Sequence, residues 1–295
     1  MKYCGLIIIN RFYGEANHKV ENKVSRLTEE FNLLDCDVDL LVNDGKIAYI
    51  ENGEVKTSLK NYDFIIYLDK DKYLARLLEK AGFLLVNRPD FIEICDDKML
   101  THIALANHDI KMPKTISGPL IMEDNFDEEI INNVESQLSY PLLIKGVYGS
   151  LGLNMAYIVS RETLIKEYRK FMNQPLIFQE YISSSRGKSL RCLVVDHKIM
   201  GAIKRINPND YRSNYPYGTY SEPYILNDDY INMVNKIIDC LDIDYAGIDL
   251  LFGENDEPIL CEINSNAFFA EFEKTTGLNI AKQFALMTLK KVKNR

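Results

Sequence analysis

The stretch that decides the fold runs from Ala246 to Asn264 and reads AGIDLLFGENDEPILCEIN. Two apolar runs flank a turn-rich GENDE, the pattern of an antiparallel hairpin. In the second run Glu262 and Asn264 stand two residues apart, so on a strand their side chains share a face. With the turn centred between Asn255 and Asp256, Asp249 falls opposite Glu262, and opposed residues also share a face. Two carboxylates and an amide gathered on an apolar surface are costly to desolvate and repel one another. A cation compensates them, and hard oxygen donors of this kind suit Mg²⁺ shared with substrate phosphates. The competing reading is a buried ion pair with a nearby Lys or Arg.

Working outward, PLLIKGVYGSLG places Lys145 at the end of an apolar strand, directly before Gly146, Gly149 and Gly152. Glycines let backbone N–H groups approach phosphate oxygens, and the lysine supplies a point charge. An ordinary hairpin loop fits the same residues. Lys98, behind Asp96 and Asp97, reads on its own as a solvated lysine in the first turn of a helix. LIFQEYISSSRG carries Gln179 and Glu180 to the end of another apolar strand. An edge of that kind can offer backbone groups and a carboxylate to the amino-bearing edge of adenine, or can simply leave the core. Arg191, Lys204, Arg205 and Arg212 fall in or just after consecutive strands, where arginine suits bidentate binding of phosphate or carboxylate.

The 295 residues suffice for one large or two modest domains, with 46% apolar and 26% charged residues, the balance of a soluble globular protein. A formal net charge of −8 with no Lys/Arg block speaks against nucleic acid as a partner. Six scattered cysteines, none in a CxxC pair, read as reduced core residues of a cytoplasmic protein. The apolar run GLIII near the N-terminus is too short to span a membrane and reads as a first strand.

Short strands alternating with helical patterns over residues 1–95 predict a mostly parallel sheet covered by helices. The strands are GLIIIN, VDLLVND, DFIIYLD and FLLVNRP. No GxGxxG follows the first strand and no GxxxxGK[ST] occurs, so neither a Rossmann dinucleotide site nor a P-loop is supported. From Asp96 the texture changes to helices and strands that divide into 96–175 and 176–295. The polar NPNDYRSNYPYGTYSEP reads as a connector between strands and the next helix. His18, His102, His108 and His197 follow no catalytic or metal spacing.

Taken in order, DDKML, PLLIKGVYGSLG, FQEYISSSRGKSLRCLVV, AIKRINPNDYRSN, AGIDLL and CEINSNAFFAEFEKTTGLNIA resemble the ATP-grasp superfamily, and within it the RimK-like ligases. The resemblance runs from about residue 90 to the end; residues 1–95 share only the αβ layout. It implies an α/β fold: an N-terminal pre-ATP-grasp domain and two ATP-grasp subdomains clasping ATP between antiparallel sheets. It implies that Lys98 and Lys145 contact phosphates beside Gly149 and Ser150 of the glycine loop. Gln179, Glu180, Tyr181 and Ile182 would line the adenine hinge. Asp249, Glu262 and Asn264 would hold Mg²⁺, with two ions per site and Mn²⁺ as a substitute. Arg191, Arg205, Arg212 and Asn214 would face phosphate or the reacting carboxylate. Two departures stand out. Ser189 occupies a position where relatives carry an acid that can hold ribose hydroxyls, and SNAFFAE replaces a Ser-Pro-Gly turn, so that Phe268 and Phe269 are expected to reshape the acceptor side of the pocket.

The function implied is an ATP-dependent carboxylate–amine ligase working through an acyl phosphate, with amino-acid or peptide substrates and association into dimers or tetramers. Two alternatives stand beside it: a ligase that closes side-chain linkages in a precursor peptide, and a nucleotide-binding protein that has lost catalysis.

Overall fold

A computed structural model describes residues 2–11, 17–121, 127–149, 152, 154–214 and 218–295. The first layer contains β1 (Tyr3–Ile9), α1 (Asn17–Leu33), β2 (Cys36–Val42), β3 (Ala48–Glu51), β4 (Glu54–Thr57), β5 (Phe64–Tyr67), α2 (Lys72–Lys80), β6 (Leu85–Val86) and α3 (Pro89–Asp96). Its main sheet is parallel, in the order β2-β1-β5-β6. Leu6, Ile7 and Ile8 are buried on both faces, which explains why β1 reads as a continuous apolar run rather than an alternating one. The β3–β4 hairpin was not expected from the sequence. Its two-residue turn, Asn52-Gly53, has positive φ at both positions, as a type I′ turn requires.

The second layer comprises α4 (Lys98–Leu105), β7 (Thr115–Ser117), α5 (Glu128–Glu135), β8 (Leu142–Gly146), β9 (Met155–Ile158), α6 (Arg161–Phe171) and β10 (Leu176–Glu180). Its sheet is antiparallel, β7-β10-β8-β9. Side chains of α5 and α6, among them Ile131, Leu164 and Tyr168, pack with Leu142, Ile144 and Phe178 into its core.

The third layer comprises β11 (Lys188–Val195), β12 (Lys198–Ile206), β13 (Tyr220–Tyr224), α7 (Asp228–Leu241), β14 (Tyr245–Phe252), β15 (Pro258–Asn264), α8 (Ala270–Thr276) and α9 (Ile280–Lys293). Its antiparallel sheet runs β13-β12-β11-β14-β15. The supposed connector after Ile206 therefore contains an edge strand, β13, whose composition hides it: Pro223 and exposed polar residues suit an edge and not a centre. Helix α7 covers one face. On the other side α1, α8, α9, β1 and β5 share a core with Leu193, Ile203 and Tyr245. Phe269 is buried in this core at 1% exposure, so it packs the fold and does not line a pocket; Phe268 is half-buried.

The first layer is also tied to the third by Asn87. Its amide nitrogen donates to the carbonyls of Tyr245 and Ser265, and its oxygen accepts from the Tyr245 N–H. No helix among the described residues is long and apolar enough to cross a membrane.

Candidate active site

Asp249 and Glu262 are register partners, as the hairpin pattern predicts, but they meet by a different route. Gly253 N–H donates to the Glu257 carbonyl, and Leu250 pairs with Leu260, so the turn is centred on Asn255. That frame alone would set Asp249 against Cys261. A bulge passes over Cys261 and brings Glu262 opposite Asp249, with Gly247 opposite Asn264. A bulge sets two residues against one, and Cys261 and Glu262 both border the cleft beside the hairpin.

The ion-pair account holds for one of these acids. On β11 Arg191 is the register partner of Asp249, and its Nε and Nη2 donate to the two oxygens of the carboxylate. Burial opposes the charge on Arg191, yet Asp249 outweighs it and drives the guanidinium above its ordinary value. Burial likewise pushes the Asp249 carboxyl up while Arg191 pulls it back, and the bidentate geometry is that of an ionised pair. Glu262 has no such partner within bonding range among the described residues. Burial opposes its ionisation, but the charge of Lys98, the Asn264 amide, Arg191 and Lys145 together hold it below the usual carboxylate range. The Asn264 amide nitrogen lies 3.2 Å from Glu262 Oε1 and 3.4 Å from Asp249 Oδ2. A half-turn of that amide places its oxygen at the same point. Two ionised carboxylates and an amide thus converge on one spot, and the donor set fits a hard divalent cation.

Arg205 stands behind them. Its Nη1 lies 3.7 Å from Asp249 Oδ1, its Nη2 donates to Glu271 at 3.1 Å, and its buried Nε has no partner among the described residues. A buried guanidinium with a donor unspent is suited to an incoming anion.

At the other end of the cleft Lys145 is buried, and its ammonium donates to Gln179 Oε1 at 2.6 Å. The two residues are diagonal neighbours on paired strands, since Lys145 pairs with Ile177 and Gln179 with Leu143. Gln179 Nε2 donates in turn to Thr115 Oγ1 at 2.9 Å and lies 3.3 Å from the His102 ring. Burial and the Lys145 charge push His102 down to about 4, so it is neutral. Lys98 is not the solvated lysine its position suggests. Asp97 caps α4 through the N–H groups of Met99 and Leu100, and from that first turn Lys98 Nζ donates to the carbonyls of Gly149 (2.9 Å) and Val147 (3.2 Å). Burial lowers its pKa, helped by Lys145 and opposed by Glu262. Gly149 has φ +110°, a conformation that L side chains rarely adopt.

At the hinge, the Glu180 carboxylate accepts from the Lys114 N–H at 3.1 Å while the Glu180 N–H donates to the Lys114 carbonyl. Tyr181 packs edge-on against Tyr157, which lies 5.0 Å from Tyr211. Ser189 and Ser213 share a hydrogen bond of 2.6 Å, a hydroxyl pair at the position of the missing acid. Arg212 is held by Asp210 through two bonds of 2.9 Å and reaches across to the Gly152 carbonyl at 3.0 Å.

These residues enclose a cleft of about 910 Å³, its mouth included, between the second and third layers. Lys98, Lys145, Gly149, Gln179, Glu180, Tyr181, Ile182, Ser189, Arg212, Asn214, Asp249 and Glu262 all border it. Asn264 borders a smaller adjoining space together with Lys98 and Glu262, while Arg191 and Arg205 stand behind Asp249. Ser150 lies outside the described residues. Thr115, His102 and Ser213 were missed in the sequence because each acts on a partner that only the fold brings near, and Asp210, two residues before Arg212, because it sits in a polar stretch read only as a connector.

Two antiparallel sheets closing on a cleft, with a lysine on one and an acid-bearing hairpin on the other, define an ATP-grasp fold. A family model described as a RimK-like ATP-grasp domain matches residues 95–287, and the chain belongs to that family of carboxylate–amine ligases. The chain is 34% identical over 283 residues to the uncharacterized protein MG012 of Mycoplasma genitalium, covering 92% of this chain and 96% of that one. It is 28% identical over 257 residues to beta-citrylglutamate synthase B of Danio rerio, covering 84% of this chain and 62% of the relative. In structure it is similar to D-alanine–D-alanine ligase of Bacillus anthracis complexed with ATP, at a TM-score of 0.76 and 16% identity, over 100% of this chain and 99% of that one.

Proposed function

We propose that the protein joins a carboxylate to an amine in an ADP-forming reaction that passes through an acyl phosphate. The observation that carries this reading is the convergence of Asp249, Glu262 and Asn264 at one end of a cleft that also presents Lys98 and Lys145. ATP would lie with its base at Gln179 to Ile182 and its phosphates toward the two lysines. Asp249, Glu262 and Asn264 would hold Mg²⁺, which supplies charge neutralisation at the transferring phosphoryl group.

Lys145, backed by Gln179, and Lys98 place fixed positive charge where the phosphate oxygens need it. The carboxylate substrate attacks the γ-phosphorus and ADP leaves; the amine then attacks the acyl carbon and phosphate leaves, with one proton lost from nitrogen. Arg205, beside Asp249, or Arg212, which borders the cleft, would stabilise the anionic oxygen that develops at the acyl carbon. Arg191 holds Asp249 in place. Ser189 and Ser213 offer hydroxyls to the ribose in place of a carboxylate. Gly149 would let the loop close over the phosphates and keep water from the acyl phosphate.

The test is phosphate release from ATP with a panel of amino acids and peptides, with hydroxylamine present to trap the activated acid. A hydroxamate is expected and names the carboxylate. Nucleotide binding without ADP release across the whole panel would overturn catalysis in favour of a binding protein.

A further inference from the structure

Lys23 sits mid-way along α1 at 2% exposure, and its ammonium donates to the carbonyl of Ala267 at 3.0 Å. It lies 4.6 Å from the centre of the Tyr245 ring and 5.7 Å from that of Phe269. The Tyr245 hydroxyl donates to the same Ala267 carbonyl at 2.6 Å. No carboxylate among the described residues comes within ion-pair distance of the ammonium. The charged and titratable groups on the surrounding elements have other partners: Arg191 on β11 holds Asp249, while Glu273 on α8 meets Arg26 on α1, which also meets Glu30. A buried cation without an acid is expensive, and an apolar side chain would be more stable in its place.

What the cation touches explains its position. Ala267 belongs to the turn that leaves β15, three residues past Asn264. It packs so tightly on Gly247 that a Cβ at 247 would stand 2.7 Å from the Ala267 methyl and 2.8 Å from Arg191 Cδ. Gly247 is the register partner of Asn264, and Arg191 is that of Asp249. A continuous line of contacts therefore runs from the first layer, through one lysine and one carbonyl, to the back of the acid-bearing hairpin.

We propose that Lys23 is a positioning residue for this centre: a cation carried on α1 that fixes the 265–269 turn through the Ala267 carbonyl and thereby holds Arg191 and Asn264 in register. Burial pushes the lysine down to about 7, so its charge is partly lost at neutral pH. The neutral amine still donates one hydrogen bond but loses its attraction to the two ring faces. Where the turn loosens while Lys23 stays buried, the charged form holds the Ala267 carbonyl more strongly, so the turn is held tightest below pH 7; complete unfolding, which hydrates the lysine, has the opposite pH dependence. The consequence for nucleotide binding rests on the Mg·ATP reading above; the fixing of the turn does not.

The experiment has two arms on the full chain, comparing wild type with Lys23→Arg, whose charge persists at every pH, Lys23→Met, which has none, and Tyr245→Phe, which leaves Lys23 as the sole side-chain donor to the carbonyl among the described residues. Hydrogen exchange of the 265–269 amides, corrected for intrinsic rates, should show protection falling about tenfold between pH 6 and pH 8.5 in wild type. The fall should steepen in Tyr245→Phe and vanish in Lys23→Arg. Binding of Mg·AMP-PNP should weaken about fivefold over the same range in wild type, stay constant in Lys23→Arg, and be uniformly weak in Lys23→Met. Equal, pH-independent protection in wild type and all variants that fold would overturn the proposal. Failure of wild type to bind Mg·AMP-PNP would remove the nucleotide reading, while the exchange arm still decides the role of Lys23.

Discussion

Asp249 and Glu262 face one another across the β14–β15 ladder because a bulge passes over Cys261. The same ladder gives Asp249 a bidentate guanidinium on its other side and leaves Glu262 without one. One acid is thereby fixed while the other remains free to coordinate.

Removing Arg191 should expose how much Asp249 depends on it. Arg191→Met takes both bidentate donors from a buried carboxylate and leaves it only the longer Arg205 contact at 3.7 Å, so about 3 kcal/mol of destabilisation is expected in urea unfolding. The double variant Arg191→Met, Asp249→Leu should recover most of that loss, since an apolar pair of similar volume replaces the ion pair. A double variant as unstable as the single one would show that the pair is not the source.

Lys145 and Gln179 should separate binding from stability. If Lys145 contacts phosphate as proposed, Lys145→Met should lower Mg·AMP-PNP affinity by about 10–100-fold, corresponding to roughly 1.5–3 kcal/mol. Gln179→Leu instead takes the acceptor from a buried ammonium, and about 1–3 kcal/mol of stability should be lost in denaturant titrations. Calorimetric titration and urea midpoints on both variants check the division.

Gly247→Ala adds a methyl where only 2.7 Å separates the position from Ala267. About 1–3 kcal/mol of destabilisation is expected from overpacking. Metal-dependent nucleotide affinity should fall with it, because Arg191 is the other atom set displaced. Unchanged binding in a destabilised Gly247→Ala would separate the turn from the site.

Stability should also carry the signature of Lys23. Its folded pKa is about 7 against an ordinary value of 10.5, so between those limits the unfolded chain holds a proton that the folded chain has released. Stability therefore rises with pH across that window and is lowest, on this account, below pH 7. Lys23→Met should be more stable than wild type at pH 6 by several kcal/mol, on the order of 5 at 1.36 kcal/mol per unit, with the gain shrinking toward pH 10. Urea unfolding at pH 6, 8 and 9.5 gives the comparison.

The hairpin was legible because its information is local: strand alternation puts Asp249, Glu262 and Asn264 on one face whatever surrounds them. The alternating first layer was legible for the same reason, in the buried runs of β1 and β5. Short elements were not. The β3–β4 hairpin, α3 and α8 are each too brief to show a period, and β13 is an edge strand with a proline. Side chains with distant backbone partners left no trace either. Lys23 bonds a carbonyl 244 positions away and Asn87 one 178 away, and neither stands in a pattern that foretells it. Phe269 illustrates the opposite failure: its place beside the acid-bearing hairpin suggested a pocket wall, yet the turn rotates it into the core shared with α1 and α9.

The central claim is that the β14–β15 hairpin holds the cation that bridges the nucleotide phosphates. Binding of Mn²⁺, as a paramagnetic stand-in for Mg²⁺, followed by electron paramagnetic resonance in the presence of ADP tests it without any knowledge of the acid or the amine. Wild type should bind Mn²⁺ in an ADP-dependent manner, and Asp249→Asn and Glu262→Gln should each weaken that binding by about 100-fold or more, equivalent to roughly 2.7 kcal/mol. Equal ADP-dependent Mn²⁺ binding in wild type and both variants would contradict the account.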